Sequence, residues 1–164
     1  MGTLIRSAEK KDMPAVLELI HELAQFENEP EAVQITVETL EREGFGKNPL
    51  FTCFVAEVDG SIEGMALFYY RFSTWKGRTL HLEDLIVREE KRGTGLGSAL
   101  FLKVIEFAEE ENLQRAEWVV LDWNKHAIDF YERSGAKVLK DWYTVQMDNE
   151  NIKAFCKRKR EPHK

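Results

Sequence analysis

Cysteine, long apolar runs and positive charge outside one terminus are what this 164-residue chain has little of. Cys53 and Cys156 are its only cysteines, far apart in sequence and without partners at metal-ligand spacing. Two such residues exclude a disulfide framework and give no support to a zinc site. His21, His81 and His126 add neither a metal nor a triad spacing, so no metal is expected. No segment approaches the roughly 18 apolar residues of a membrane helix, and a membrane is not an expected partner. The opening MGTLIRSAEKK has no apolar core of signal-peptide length after its first charge, which leads to the expectation of a cytoplasmic protein.

Lys and Arg number 23 against 29 Asp and Glu, a net charge of −6. The last twelve residues, from Lys153, hold six of the basic side chains and one Glu, leaving 17 basic against 28 acidic side chains elsewhere. An acidic body repels a phosphate backbone and attracts cations, so a small amine rather than nucleic acid is the expected partner. The terminal run FCKRKREPHK reads as solvated charge. Length and a hydrophobic content of 43% fit one domain with one core, assigned to residues 1–152, followed by a basic tail at 153–164.

Thr3 to Ser7 reads as a strand, after which Asp12 can cap a helix carrying Met13, Val16, Leu17, Ile20, Leu23 and Ala24 on one face. Thr36 precedes a shorter helix that stops at Gly44. The period then changes to two. Phe51 to Val58 and Ile62 to Phe72 are β-rich runs joined by Asp59-Gly60, a strong hairpin signal, and Thr79 to Val87 makes a third strand. A glycine-rich turn opens a helix with Leu96, Leu100, Val104 and Ala108 on one face. Ala116 to Leu121 is expected as a strand, Lys125 to Arg133 as a helix, and Lys137 to Leu139 and Tyr143 to Met147 as closing strands. This order predicts an α/β fold of the α+β kind, a mixed sheet with helices on its faces.

The glycine turn, Arg92-Gly93-Thr94-Gly95-Leu96-Gly97-Ser98, lies between a strand and a helix start. There backbone N–H groups converge on a phosphate at the positive helix end, and glycines let a pyrophosphate approach the amides. No Gly-Lys-Ser/Thr follows, so it is not a nucleotide P-loop, and Ser98 stands where a dinucleotide fingerprint has its third glycine. A tight strand-to-helix connection without a ligand is the plain alternative.

Arg92 to Gly97 fits Arg/Gln-x-x-Gly-x-Gly/Ala and so resembles the pyrophosphate signature of the GNAT acetyltransferase superfamily. Downstream, Asn124 and the segment AIDFYERSGA at 127–136 resemble its second signature. Glu22 to Glu27, Gly44 to Gly46, Phe51 to Glu57, Ser73 to Val87 and Val120 to Asn124 resemble the diamine acetyltransferase branch. Within that branch STWKGR (73–78) and LDWN (121–124) are closer to the thialysine N-acetyltransferases than to the polyamine enzymes. The polyamine enzymes are expected to have an acidic residue and Pro in place of Ser73 and Thr74.

The resemblance implies a GNAT fold: a central, twisted, mostly antiparallel sheet with splayed strands and helices on both faces. It implies acetyl-CoA as donor, a homodimer, and a small-molecule primary amine as acceptor. Thialysine or a similar lysine-like amine is the expected acceptor; a diamine or polyamine is the alternative, and a non-catalytic acyl-CoA sensor a further one. Glu83 takes the place of a base acting through water, Asp84 that of an ammonium anchor, and Tyr131 that of the acid that protonates the leaving thiolate. Leu85, Ile86 and Val87 are expected along the pantetheine arm, with an oxyanion N–H near Leu85. Arg92, Gly93, Thr94, Gly95, Leu96, Gly97 and Ser98 are expected at the pyrophosphate, and Asn124, Lys125, His126 and Ala127 beside the cofactor. Phe26, Glu27, Ser73 and Thr74 are the further amine contacts. Adjacent strand residues face opposite sides, so Glu83 and Asp84 can share a pocket only if their strand bulges.

Overall fold

The structure is a computed structural model that describes residues 2–160. β1 (Thr3–Ser7) leads through a 3-10 turn into α1 (Met13–Phe26). Asp12 occupies the N-cap position, but its carboxylate is bound by Arg6, at 2.7 and 3.1 Å, and by the Glu9 amide instead of by α1. α2 (Val37–Phe45) follows, with the Thr36 hydroxyl accepting from the Thr39 amide at 3.3 Å.

β2 (Thr52–Val58) and β3 (Ser61–Ser73) form the expected hairpin. Both Asp59 and Gly60 have positive φ, 51° and 86°, the twist that a two-residue turn between right-twisted strands requires. β4 (Gly77–Val87), α3 (Leu96–Glu110) and β5 (Ala116–Glu117) complete a five-stranded sheet in the order β1-β2-β3-β4-β5. Every pair is antiparallel except β4 with β5.

Period-two alternation gives this sheet two apolar faces. Cys53, Val55, Met65 and Leu67 join Met13, Val16 and Leu19 of α1 and Leu40 of α2 on one side. Phe54 and Phe68 point the other way, their ring centroids 6.3 and 5.0 Å from that of Phe107 in α3. Helices therefore cover both faces, as expected from the sequence. Each buried Leu, Phe or Met contributes about 1.5–3 kcal/mol, so the faces, not the loops, hold the sheet in shape.

One irregularity in β4 matters most. Leu67 stands opposite Asp84, but Phe68 stands opposite Leu82, which leaves Glu83 as the extra residue of a β-bulge. A bulge bends and twists its strand. β5 pairs with β4 only at Leu80 and His81, just before this bend. The strand expected at Ala116 to Leu121 is accordingly cut to Ala116–Glu117, because β4 turns away from it. That divergence is the expected splay.

The chain divides after Leu121 into two units, of which the sheet and α1 to α3 form the first. The second holds α4 (Lys125–Arg133) and α5 (Asn149–Arg160). Lys137 to Leu139 and Tyr143 to Met147 are not the closing strands expected: among the described residues no ladder runs along them. Tyr143 and Val145 are 91% and 90% exposed, so their alternation buries nothing that would hold a strand. The basic run beginning at Lys153 is helical as far as it is described, and residues 161–164 lie outside the described residues. Asp148 starts that helix by accepting from the Asn151 amide at 2.8 Å, and acid at its start with base at its end suits the helix dipole. No helix among the described residues is long and apolar enough to cross a membrane.

Candidate active site

The bulge decides which side chains meet. Tyr69 and Leu67 are two apart on β3 and share a face; His81 lies opposite Tyr69, and Asp84 opposite Leu67. Glu83 reaches the same face, where its Oε2 accepts from the Tyr69 hydroxyl at 2.9 Å and lies 3.6 Å from His81 Nε2. Consecutive carboxylates thus occupy one side of the sheet, the side on which α1 packs.

Glu27, just past the end of α1, is the third acid there. Burial raises the Asp84 carboxyl to about 7, with the negative charges of Glu83 and Glu27 adding to the effect. Partial desolvation also raises the Glu27 carboxyl. Burial and the bond to Glu83 push the Tyr69 phenol up to about 12, so it keeps its proton and donates. Asp84, half-buried and within electrostatic reach of both Glu83 and Glu27, makes with them a site that favours a cation. The nearby Cys53 thiol is buried and pushed up to about 12, which removes it as a nucleophile.

Beyond the bulge, Leu85, Ile86 and Val87 continue β4 after its pairing with β5 has ended. The chain then enters the glycine turn. Gly93 and Gly95 have φ of 76° and 91°, and a Cβ built at either would meet nothing within 4 Å. The turn presents bare backbone to open space, followed directly by the first amides of α3, which have no intrahelical acceptor. Thr94 Oγ1 donates to the Lys91 carbonyl at 2.6 Å and tightens the turn, and a Cβ at Gly97 would lie 3.7 Å from Val87 Cγ2. Arg92 donates to the Val87 carbonyl at 3.2 Å, lies 3.8 Å from Glu22 and sits over the Phe26 ring at 5.3 Å. Arg92 therefore links the turn to the end of α1, where Phe26 and Glu27 stand. This is an arrangement into which a pyrophosphate fits.

Ser73 and Thr74 are not gathered with these residues within one chain. Ser73 pairs with Gly77 at the tip of the β3–β4 hairpin, six residues from Glu83 and so about 20 Å away along the strand. Its hydroxyl accepts from the Trp75 and Lys76 amides, both at 3.2 Å, and holds the turn.

The remaining expected residues belong to the second unit. Asn124 Oδ1 accepts from the Ala127 amide at 3.2 Å and caps α4, placing Lys125, His126 and Ala127 in its first turn. Tyr131 is half-buried on that helix, and burial pushes its phenol up to about 12. Gly135, φ 96°, closes the helix, with the Ala136 amide donating to the Tyr131 carbonyl at 3.1 Å.

Tyr69 and His81 were not among the expected site residues. The signal lay in the hairpin: once Ser73 is set opposite Gly77, counting back puts Tyr69 against His81 and both beside Glu83.

The chain is 39% identical to the thialysine N-epsilon-acetyltransferase of Sus scrofa, covering 94% of this chain and 98% of that protein. It is 34% identical to the spermidine/spermine N(1)-acetyltransferase-like protein 1 of Homo sapiens, covering 90% of this chain but 23% of that protein. An integron cassette protein from the mobile metagenome of V. cholerae shares the fold, with a TM-score of 0.78, 20% identity, and coverage of 96% of this chain and 99% of that one. Residues 14–136 match the Acetyltransferase (GNAT) family, and the chain belongs to it.

Proposed function

We propose that this acetyltransferase transfers the acetyl group of acetyl-CoA to the primary amine of a small, lysine-like molecule, thialysine being the best fit. The observation that carries the reading is the bulge at Glu83, which puts Glu83 and Asp84 on the one side of the sheet where Glu27 acts on Asp84. The family and the thialysine acetyltransferase relative support the same direction.

Bound acetyl-CoA supplies an acetyl group activated as a thioester. Arg92 and the backbone from Gly93 to Ser98 hold its pyrophosphate, and Leu85 to Val87 offer strand-like hydrogen bonds to its pantetheine arm. Asn124, Lys125, His126 and Ala127 join the cofactor side of the site in this reading. Asp84 and Glu27 hold the substrate ammonium, with Phe26 beside them. An alkylammonium has a pKa near 10.4, so deprotonation at pH 7 costs roughly 4–5 kcal/mol, and a carboxylate base is needed. Glu83 takes that proton through water, and the amine nitrogen then bonds to the acetyl carbon. The Leu85 amide offers a hydrogen bond to the carbonyl oxygen as its charge grows. As the carbon–sulfur bond breaks, Tyr131, a neutral phenol, gives its proton to the departing sulfur, and the phenolate left behind takes up the second proton that the nitrogen sheds on becoming an amide.

Ser73 and Thr74 enter this reading through a homodimer: at about 20 Å from Glu83 in their own chain, they can meet the same amine only from a second copy. Hydroxyls there suit the carboxylate and amino group of an amino acid, where an acid would suit a second ammonium. The cytoplasmic location belongs to the same reading and rests on the sequence.

Side-by-side kinetics of CoA release test it. The expected result is a higher kcat/KM for thialysine than for spermidine or spermine, shifting toward the polyamines in Ser73→Asp. An Asp side chain can hold the same turn, so that variant keeps the hairpin. A tenfold preference of the parent enzyme for spermidine would overturn the thialysine reading in favour of a polyamine enzyme.

A further inference from the structure

Behind Glu83 lies a row of polar side chains that the reaction scheme above does not use. His81 is mostly buried, with 13% of its side chain exposed, and its ring stacks on that of Tyr69, with centroids 5.3 Å apart. Its Nδ1 lies 3.4 Å from Arg71 Nη1. Arg71 in turn is ion-paired with Glu117, the residue opposite His81 on β5, and Glu117 is also bound by Arg115 at 2.8 Å. The groups facing His81 are therefore Tyr69 and Arg71 from β3, Glu83 from its own strand and Glu117 from β5.

A guanidinium has donors only, so Nδ1 beside Arg71 must act as the acceptor. The proton of a neutral imidazole is thereby placed on Nε2, the nitrogen that faces Glu83. The 3.6 Å separation is an approach and not a hydrogen bond; a small side-chain rotation would close it, as catalytic contacts commonly tighten when substrate binds. Tyr69 and His81 then both donate to Oε2 of Glu83, which assigns proton uptake from the amine to Oε1. Glu117 balances the charge of Arg71, so the cation can fix the tautomer without adding net positive charge behind the base.

We propose that His81 is a positioning residue for Glu83: Arg71 fixes it as the Nε2–H tautomer, and with Tyr69 it holds the carboxylate in the orientation that accepts the substrate proton. This rests on the amine acetyltransferase reading, in which Glu83 is the base.

Two measurements on the full-length protein test it. Nitrogen-15 spectra of the histidine rings, taken without substrate, should show His81 as the Nε2–H tautomer with Nδ1 as acceptor, and a tautomer mixture in Arg71→Met. An Nδ1–H tautomer in the parent overturns the proposal. In CoA-release kinetics, His81→Phe should lower kcat about three- to tenfold, the worth of one hydrogen bond, with KM for acetyl-CoA and the amine within twofold. His81→Gln, whose amide nitrogen can stand near the position of Nε2, should recover most of the loss. Unchanged kcat in His81→Phe, or a folded His81→Gln as impaired as His81→Phe, also overturns it. A parent enzyme that acetylates no amine would sink the amine acetyltransferase reading instead, and the tautomer spectrum separates the two failures.

Discussion

Glu83 and Asp84 are neighbours in sequence and yet lie on the same face of one strand, because Glu83 is the extra residue of the bulge opposite Leu67 and Phe68. A regular strand would send one of them into the α3 face, among Phe54, Phe68 and Phe107. The bulge keeps both acids with Glu27, and their mutual repulsion and burial raise Asp84 to about 7.

That raised value has a consequence for stability and for binding. The folded protein holds a proton on Asp84 that the unfolded chain, with a carboxyl at 3.8, has already released at pH 5. Stability from this group is complete below pH 4 and lost as pH rises through 7, an effect on the order of a few kcal/mol. Asp84→Asn should flatten the fall in urea-unfolding free energy between pH 5 and pH 8; equal slopes in parent and variant would contradict the assignment. An ammonium ligand favours the ionised form, so the KM of the parent for the amine should drop as pH rises from 5.5 through 7.

Tyr131→Phe removes a proton donor and leaves the ring to pack. Turnover should fall by about 10² to 10⁴, the usual range for general acid catalysis, with KM for acetyl-CoA within a few-fold. The Tyr131 phenol stays neutral across the working range, as a donor must. A variant turning over within twofold of the parent takes Tyr131 out of the mechanism.

Gly95→Val is expected to abolish acetyl-CoA binding. The φ of 91° at Gly95 is one that a β-branched residue does not adopt readily, and its side chain would project into the open space over the turn. The backbone strain costs on the order of 1–3 kcal/mol, leaving the sheet and its two faces to keep the protein folded. Calorimetry showing parent-like acetyl-CoA affinity in a folded variant would reject the pyrophosphate role.

The sequence by itself determined the elements whose signals are local. The hairpin at Asp59-Gly60, the strand-turn-helix around Gly93 and Gly95, and the helix Lys125–Arg133 stand where their turn and capping residues put them. The pair of neighbouring acids was equally legible as a candidate, since Glu83 and Asp84 interrupt an otherwise apolar strand. Tertiary structure decided what depends on a partner. β5 stops at Glu117 because β4 bends away at Glu83, and Tyr143 to Met147 forms no strand because no ladder receives it. The helical form of the exposed basic run was not read from the sequence, because its basic residues masked the cap at Asp148 and the acid of its first turn. Tyr69, Arg71 and His81 read as ordinary strand residues in one dimension. Only the register of β3 against β4, with its one-residue shift, sets Tyr69 and His81 beside the carboxylate and Arg71 behind the imidazole.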